Sequence, residues 1–391
     1  MRQLAKRQLE ILNELLEGFS CSNDTFLEGK LGQLFYYYHL YTVTAAPGLR
    51  QRTEVMLDEV LNNISAVKPG LDGAALSYGG AGLGYAINFM SQRGFLKFEV
   101  DNEFDKLDRF LFYSAEHFIE EDNTDLLHGA AGIIHYFTEK ANASVVVNEY
   151  LDILIEKLCN SAVTEDSGCW FRNAPARTNG RQLINLSLPH GLCGILLVLI
   201  KAYERSGHKN LIRNTVEEGI RFILKHKMDI DFSRGEYSFF PVIIDRDADG
   251  ISAPNMLGWC AGDISMVLLL YRAAKLLRDA SLCELADLIG MQTMMRRDVA
   301  STLVTSANFY HGAAGIAQCC HALYEESGNI TYHESYEYWI DKTIQLLEEE
   351  MECDIYNGKE NDVLEGVPGI AMVLLSYVSA KELHWSRAFL L

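Results

Sequence analysis

The sequence predicts an all-helical fold built from paired helices, on three observations. A Gly-x-x-Gly phrase followed at once by an apolar run recurs along the chain. Segments between the copies are amphipathic, with charges gathered on one side. The copies run from one end of the 391 residues to the other. Length alone would suggest two or three domains, but an uninterrupted repeat argues for a single unit, 1–391.

The opening stretch, "MRQLAKRQLEILNELLEGF", places leucines among charges at helical spacing and lacks the continuous apolar core of a signal peptide. The first copy of the phrase follows (Gly29, Gly32), then a second (Gly79, Gly82), third (Gly129, Gly132) and fourth (Gly191, Gly194). A degenerate fifth keeps Gly262 but has Ser265 in the second place; Gly312 with Gly315 and Gly366 with Gly369 complete seven. The first glycines are 50, 50, 62, 71, 50 and 54 residues apart, a period that fits two helices and a loop. Segments after the glycines are apolar nearly all round and read as buried inner helices. Those such as "FDKLDRFLFYSAEHFIEE" and "NEYLDILIEKLC" read as outer helices with one wet face.

Glycine at a helix start lets neighbouring backbone or a substrate come close. The first N–H groups of a helix are unpaired, so several such starts facing one place aim their positive ends at it. The residues just before the first glycines are Glu28, Tyr78, His128, His190, Ala261, His311 and Glu365. A repeat concerned only with packing has no need of polar groups there; a shared pocket has. The longest spacers, "GCWFRNAPARTNGRQLINLSLPHG" and "RGEYSFFPVIIDRDADGISAPNMLGWC", are rich in turn residues, the second with an extended stretch around Tyr237 to Ile244. Such loops beside the pocket suit a lid or substrate track.

A net charge of −19 argues against a nucleic-acid binder and is compatible with a basic or flexible peptide partner, or simply with solubility. No apolar run approaches the length of a membrane span, so membrane insertion is not expected. Nine cysteines in a chain of this size suggest reduced thiols or metal ligands rather than a disulfide framework, and hence a cytoplasmic location.

With seven such helix pairs, "GWCAG" and a later "HGAAG", nearly the whole chain resembles the lanthionine synthetase C family (LanC-like cyclases). The resemblance implies an α/α toroid, a closed ring of seven inner and seven outer helices. It also implies an activity: a cysteine thiol of a dehydrated precursor peptide adds to dehydroalanine or dehydrobutyrine, forming a thioether ring. A dehydratase partner would supply that substrate. The family's zinc ion is held by two cysteines and a histidine, which map to Cys260, Tyr310 and His311; the second cysteine is thus replaced by Tyr310. Acid–base work falls to His190 and Asp125, both kept, whereas Met256 and Ala261 stand where the family usually has arginine and tyrosine. Zinc would turn the thiol into a thiolate, and a nearby group would manage the protons.

Each of these residues also has a plainer reading. Cys260 alone is an ordinary buried thiol, Asp125 a helix-start cap, and His190 a histidine bonded to a neighbouring carbonyl. Cys193, Tyr310 or Asp263 could complete a zinc site, and Tyr310, His128, Glu365 and Asp263 could contact substrate. Cys319, Cys320 and His321 read as core residues. "DRDADG" (residues 245–250) imitates a calcium loop but has Met256 at the twelfth position, where a bidentate acid belongs, so a solvated turn is expected. Two other functions fit less of the sequence: a peptide-binding scaffold without chemistry, and a carbohydrate-active toroid using Glu365 and Asp125 over a floor of tryptophans.

Overall fold

The computed structural model describes residues 1–19, 21, 23–65, 70–96, 104–140, 144–173, 181–247, 250–252 and 254–391. Seven inner helices follow the seven glycine phrases: α2 (Lys30–Thr44), α4 (Gly80–Gln92), α6 (Ala130–Lys140), α8 (Leu192–Ala202), α10 (Asp263–Leu277), α13 (Ala313–Ser327) and α15 (Val367–Val378). Each packs on the next, and α15 returns to α2, so the ring is closed. Outer helices follow their inner partners in six cases: α3 (Pro47–Ser65), α5 (Asp105–Glu120), α7 (Val145–Asn160), α9 (Lys209–Lys225), α11 (Ala280–Met294) and α14 (Ile330–Glu352), with a single turn, α12 (Val299–Thr302), leading into the sixth mouth. The seventh outer position belongs to α1 (Arg2–Gly18), which covers α15 and thereby joins the two ends of the chain. There the Arg2 guanidinium donates to the carbonyls of Val378 and Ser379.

The sequence pattern explains the two layers. In α8 all but Ile200 and Lys201 are buried, as befits a helix with neighbours on every side. In α9 the buried residues are Ile212, Thr215, Val216, Gly219, Ile220, Phe222 and Ile223, a stripe at helical spacing that leaves the rest of the surface wet.

The loops entering the inner helices, here called mouths, are tied to one another by backbone hydrogen bonds. Leu27 N–H donates to Ser77 O, Ser77 to Leu127, Leu126 to Pro189, Leu188 to Cys260, Cys260 to Tyr310, Tyr310 to Leu364, and Val363 back to Leu27, at 2.7–3.3 Å. Every acceptor lies two residues ahead of its copy's first glycine. The second glycine is needed because the first helical turn lies against its own mouth: a Cβ at Gly194 would overlap Leu188 O. The degenerate fifth copy takes another path. Gly262 has φ +105°, a conformation that favours glycine, and the following Ser265 hydroxyl donates to Gly262 O.

Beneath this ring of bonds lies an apolar layer, from the residues three ahead of each glycine: Phe26, Leu76, Leu126, Leu188, Trp259, Phe309 and Val363, all buried. A C-terminal 3₁₀ turn, Trp385–Phe389, closes it from below. The Phe389 ring lies 5.0 Å from that of Phe309, 5.6 Å from Trp259 and 6.4 Å from Phe26. The turn is pinned by Trp259 Nε1 donating to Phe389 O and Arg272 to Leu390 O, while His135 Nε2 meets Arg387 O.

The long spacers carry short strands. β1 (Val163–Glu165) pairs with β2 (Gly168–Trp170), and β3 (Leu183–Asn185), β4 (Ile243–Asp245) and β5 (Gly250–Ser252) form an antiparallel sheet in that order. Ile184 faces Ile244, which faces Ile251. The expected extended stretch is therefore realised only near its end, and β3 has no counterpart in the expectation. The sheet braces the fourth mouth, since Leu186 N–H donates to Val242 O. In the calcium-like sequence, Asp249 lies outside the described residues, Asp245 pairs with Arg181, and Asp247 accepts from Gln182 N–H. Among the described residues no helix is long and apolar enough to cross a membrane.

Candidate active site

A polar side chain four residues ahead of the first glycine shapes several mouths. Thr25, Asp125, Asn308 and Asp362 each accept the N–H of the residue three further on, Glu28, His128, His311 and Glu365, at 3.2, 2.5, 3.1 and 2.9 Å. Asp125 differs from the others in what its second oxygen does. Oδ2 crosses to the next mouth and meets His190 Nδ1 at 2.8 Å. A carboxylate only accepts, so Nδ1 carries the hydrogen and, in the neutral ring, Nε2 is left as an acceptor. Nε2 faces the Tyr310 hydroxyl at 3.2 Å. Residues from the third, fourth and sixth mouths thus form one hydrogen-bonded line, Asp125–His190–Tyr310. Asn173 steadies it by donating to His190 O.

The line runs beside a cavity of about 360 Å³. One wall is a stack of rings. His128 lies parallel to His190 with centroids 5.5 Å apart, and Tyr78 to His128 at 5.4 Å. Ser77 Oγ holds His128 Nδ1 at 2.8 Å. The other wall carries carboxylates: Glu28, Asp362 and Glu365, the last paired with Lys359. Burial lowers the pKa of His128. Burial raises that of Tyr310, reinforced by Cys260, Asp125 and Glu365, so its hydroxyl keeps its proton and is a donor.

His128, His190, Tyr310 and Glu365 all line this cavity, with Asp125 fully buried behind His190. Asp263 does not join them. It is buried, paired with Arg296 at 2.8 Å, and accepts the N–H groups of Phe239 and Phe240, so the expectation that it contacts substrate or metal gives way to a structural role. Arg296 had no motif to announce it. Ser77 and Asp362 also escaped the sequence reading, although their positions two and four ahead of a glycine are the same ones that supply Tyr310 and Asp125. All four tryptophans are buried and none lines the cavity, which removes the floor a sugar-binding reading requires. Cys319 and Cys320 are core residues, whereas His321 is partly exposed, near Glu325.

The zinc set expected from Cys260 and His311 is not completed. Cys260 is buried, its Sγ lies 3.9 Å from Met256 Sδ, and burial pushes its thiol up to about 12. The His311 ring sits near the Asn308 amide. Tyr310 occupies the place of the third ligand, but its hydroxyl is engaged by His190. Neither other candidate is available: Cys193 is directed between inner helices at Ser265 O, and Asp263 is held by Arg296. Among the described residues no group of three His, Cys, Asp or Glu side chains could hold a metal ion. A two-donor remainder does not make the closed or three-ligand arrangement that zinc favours.

A sequence search of curated proteins finds no match. Among solved structures, nisin cyclase is similar, with a TM-score of 0.78 at 17% sequence identity, over 99% of this chain and 96% of that one. That likeness establishes the closed ring of helix pairs. The profile described as lanthionine synthetase C-like protein matches residues 20–390. The chain therefore belongs to the lanthionine synthetase C-like family.

Proposed function

We infer that the protein is a lanthipeptide cyclase: it adds a cysteine thiol of a dehydrated precursor peptide across the C=C bond of a dehydroalanine or dehydrobutyrine, making a thioether ring. Family membership supplies the reaction class. The observation that carries the reading here is the Asp125–His190 pair on the wall of the central cavity. The reaction moves one proton off sulfur and one onto carbon, and an imidazole fixed by a buried carboxylate suits both transfers. His128 and Tyr78 offer flat faces for an unsaturated peptide segment, and the carboxylate wall suits a cationic side chain nearby. A peptide-binding scaffold would need only the Asp125 Oδ1 bond that shapes the mouth, not the Oδ2 bond that orients the imidazole.

The substrate requires a dehydratase to act first, as partner or as preceding enzyme. It also requires free thiols, which places the reaction in a reducing compartment such as the cytoplasm. Zinc, the family's usual thiol activator, lacks a full donor set among the described residues, and no step of the reading passes through it.

Cyclisation leaves mass unchanged but consumes a thiol, so alkylation reports it. Purified protein incubated with a dehydrated, cysteine-containing peptide should protect the cysteines from iodoacetamide. Full alkylation after prolonged incubation, with peptides of several sequences, would remove the cyclase reading.

A further inference from the structure

The Tyr310 hydroxyl stands within reach of the group that would handle the thiol proton, at the position where the resemblance expects the second ligand cysteine. We propose that this chain activates the thiol without a resident zinc ion: His190, oriented by Asp125, accepts the thiol proton, and the Tyr310 O–H holds the enolate oxygen that develops. The proposal rests on the cyclase reading and adds to it the identity of the activating groups.

The geometry supplies each part. His190 Nε2 is an acceptor because Nδ1 is committed to Asp125 Oδ2. An entering thiol takes the place of the Tyr310 hydroxyl as donor to Nε2, which frees the hydroxyl to turn to a carbonyl oxygen beside it. The two groups are 3.2 Å apart, so one substrate segment can meet both. The S–H proton passes to Nε2 and sulfur bonds to the β-carbon. The C=C π pair becomes a bond between the α-carbon and the carbonyl carbon, and the carbonyl π pair moves onto oxygen, where Tyr310 donates to it. The proton on Nε2 is then returned to the α-carbon. Atoms and electrons balance with no further reactant, and His190 and Tyr310 end as they began. The tyrosine is held for this task, because its own N–H donates to Leu364 O and its carbonyl accepts from Cys260 N–H in the ring of mouths.

The test uses the full chain. Zinc bound after dialysis against zinc-containing buffer is measured by elemental mass spectrometry. Cyclisation is then followed with and without 1,10-phenanthroline, in native protein and Tyr310→Phe. The proposal expects well under one zinc per chain and a rate unaffected by the chelator. In Tyr310→Phe it expects kcat lowered about 100-fold, the usual loss for one donor to a developing oxyanion, with KM and melting temperature unchanged. Stoichiometric zinc whose removal stops cyclisation would overturn it, as would a native rate in Tyr310→Phe. The metal measurement needs no turnover. Stoichiometric zinc therefore counts against this proposal whether or not the protein cyclises, whereas zinc-free protein that cyclises nothing counts against the cyclase reading itself.

Discussion

Asp125 shows how a structural residue acquires a second task. Its Oδ1 does for the third mouth what Thr25, Asn308 and Asp362 do for theirs, and only its Oδ2 reaches another mouth. Because Asn308 already holds such a turn, Asp125→Asn should still fold, at a cost of about 1–3 kcal/mol for the buried bond to His190. It should still lose cyclisation by about 100-fold through the lost charge behind the imidazole. Chemical denaturation and thiol-protection kinetics on the same sample check both halves. His190 was visible through its place in a repeated phrase, and Asp125 through the resemblance to the family. The sequence could not show that Tyr310 completes their line, because that contact spans 120 residues and depends on which mouths face each other. Asp263 misled for a related reason: it too stands at a helix mouth, but its partner Arg296 lies beyond the following helix.

At the scale of elements, the glycine phrases made the inner helices legible, since each marks a first turn pressed against its own mouth. Replacing Gly194 with alanine should cost about 1–3 kcal/mol, the usual penalty for overpacking, because the obstructing atom is the Leu188 backbone carbonyl and cannot rotate away. A shift of the urea midpoint without loss of helical signal would be the expected result. The strands were less legible. Each has three residues, too few for a period-2 pattern, and the β3–β4 pairing joins stretches some 60 residues apart. The fifth copy, degenerate in sequence, differs in backbone path as well, through the positive φ of Gly262.

For the whole molecule, closure depends on the ends of the chain: α1 covers α15, and Phe389 fills the underside of the mouths. Phe389→Ala should destabilise by about 3–5 kcal/mol, as for a large core aromatic, and lower the melting temperature accordingly. Neither the covering by α1 nor the C-terminal plug could be read from local sequence, because both are set by ring geometry. Protonation should stress the same region. Burial lowers His39 to about 4 and His135 to about 3, against 6.5 when unfolded. As pH falls below 6.5 the unfolded chain takes up these protons first. Stability present above pH 6.5 is therefore lost on acidification towards pH 4, at roughly 1.4 kcal/mol per pH unit for each histidine. Melting curves across that range should show a shallower slope in the double variant His39→Gln, His135→Gln than in native protein.

The most direct measurement compares thioether formation by native protein and His190→Asn on one dehydrated peptide, with matched melting temperatures. The account predicts a loss of about 100-fold or more, the usual share of a general acid–base group. A variant that cyclises as fast as the native chain would contradict it.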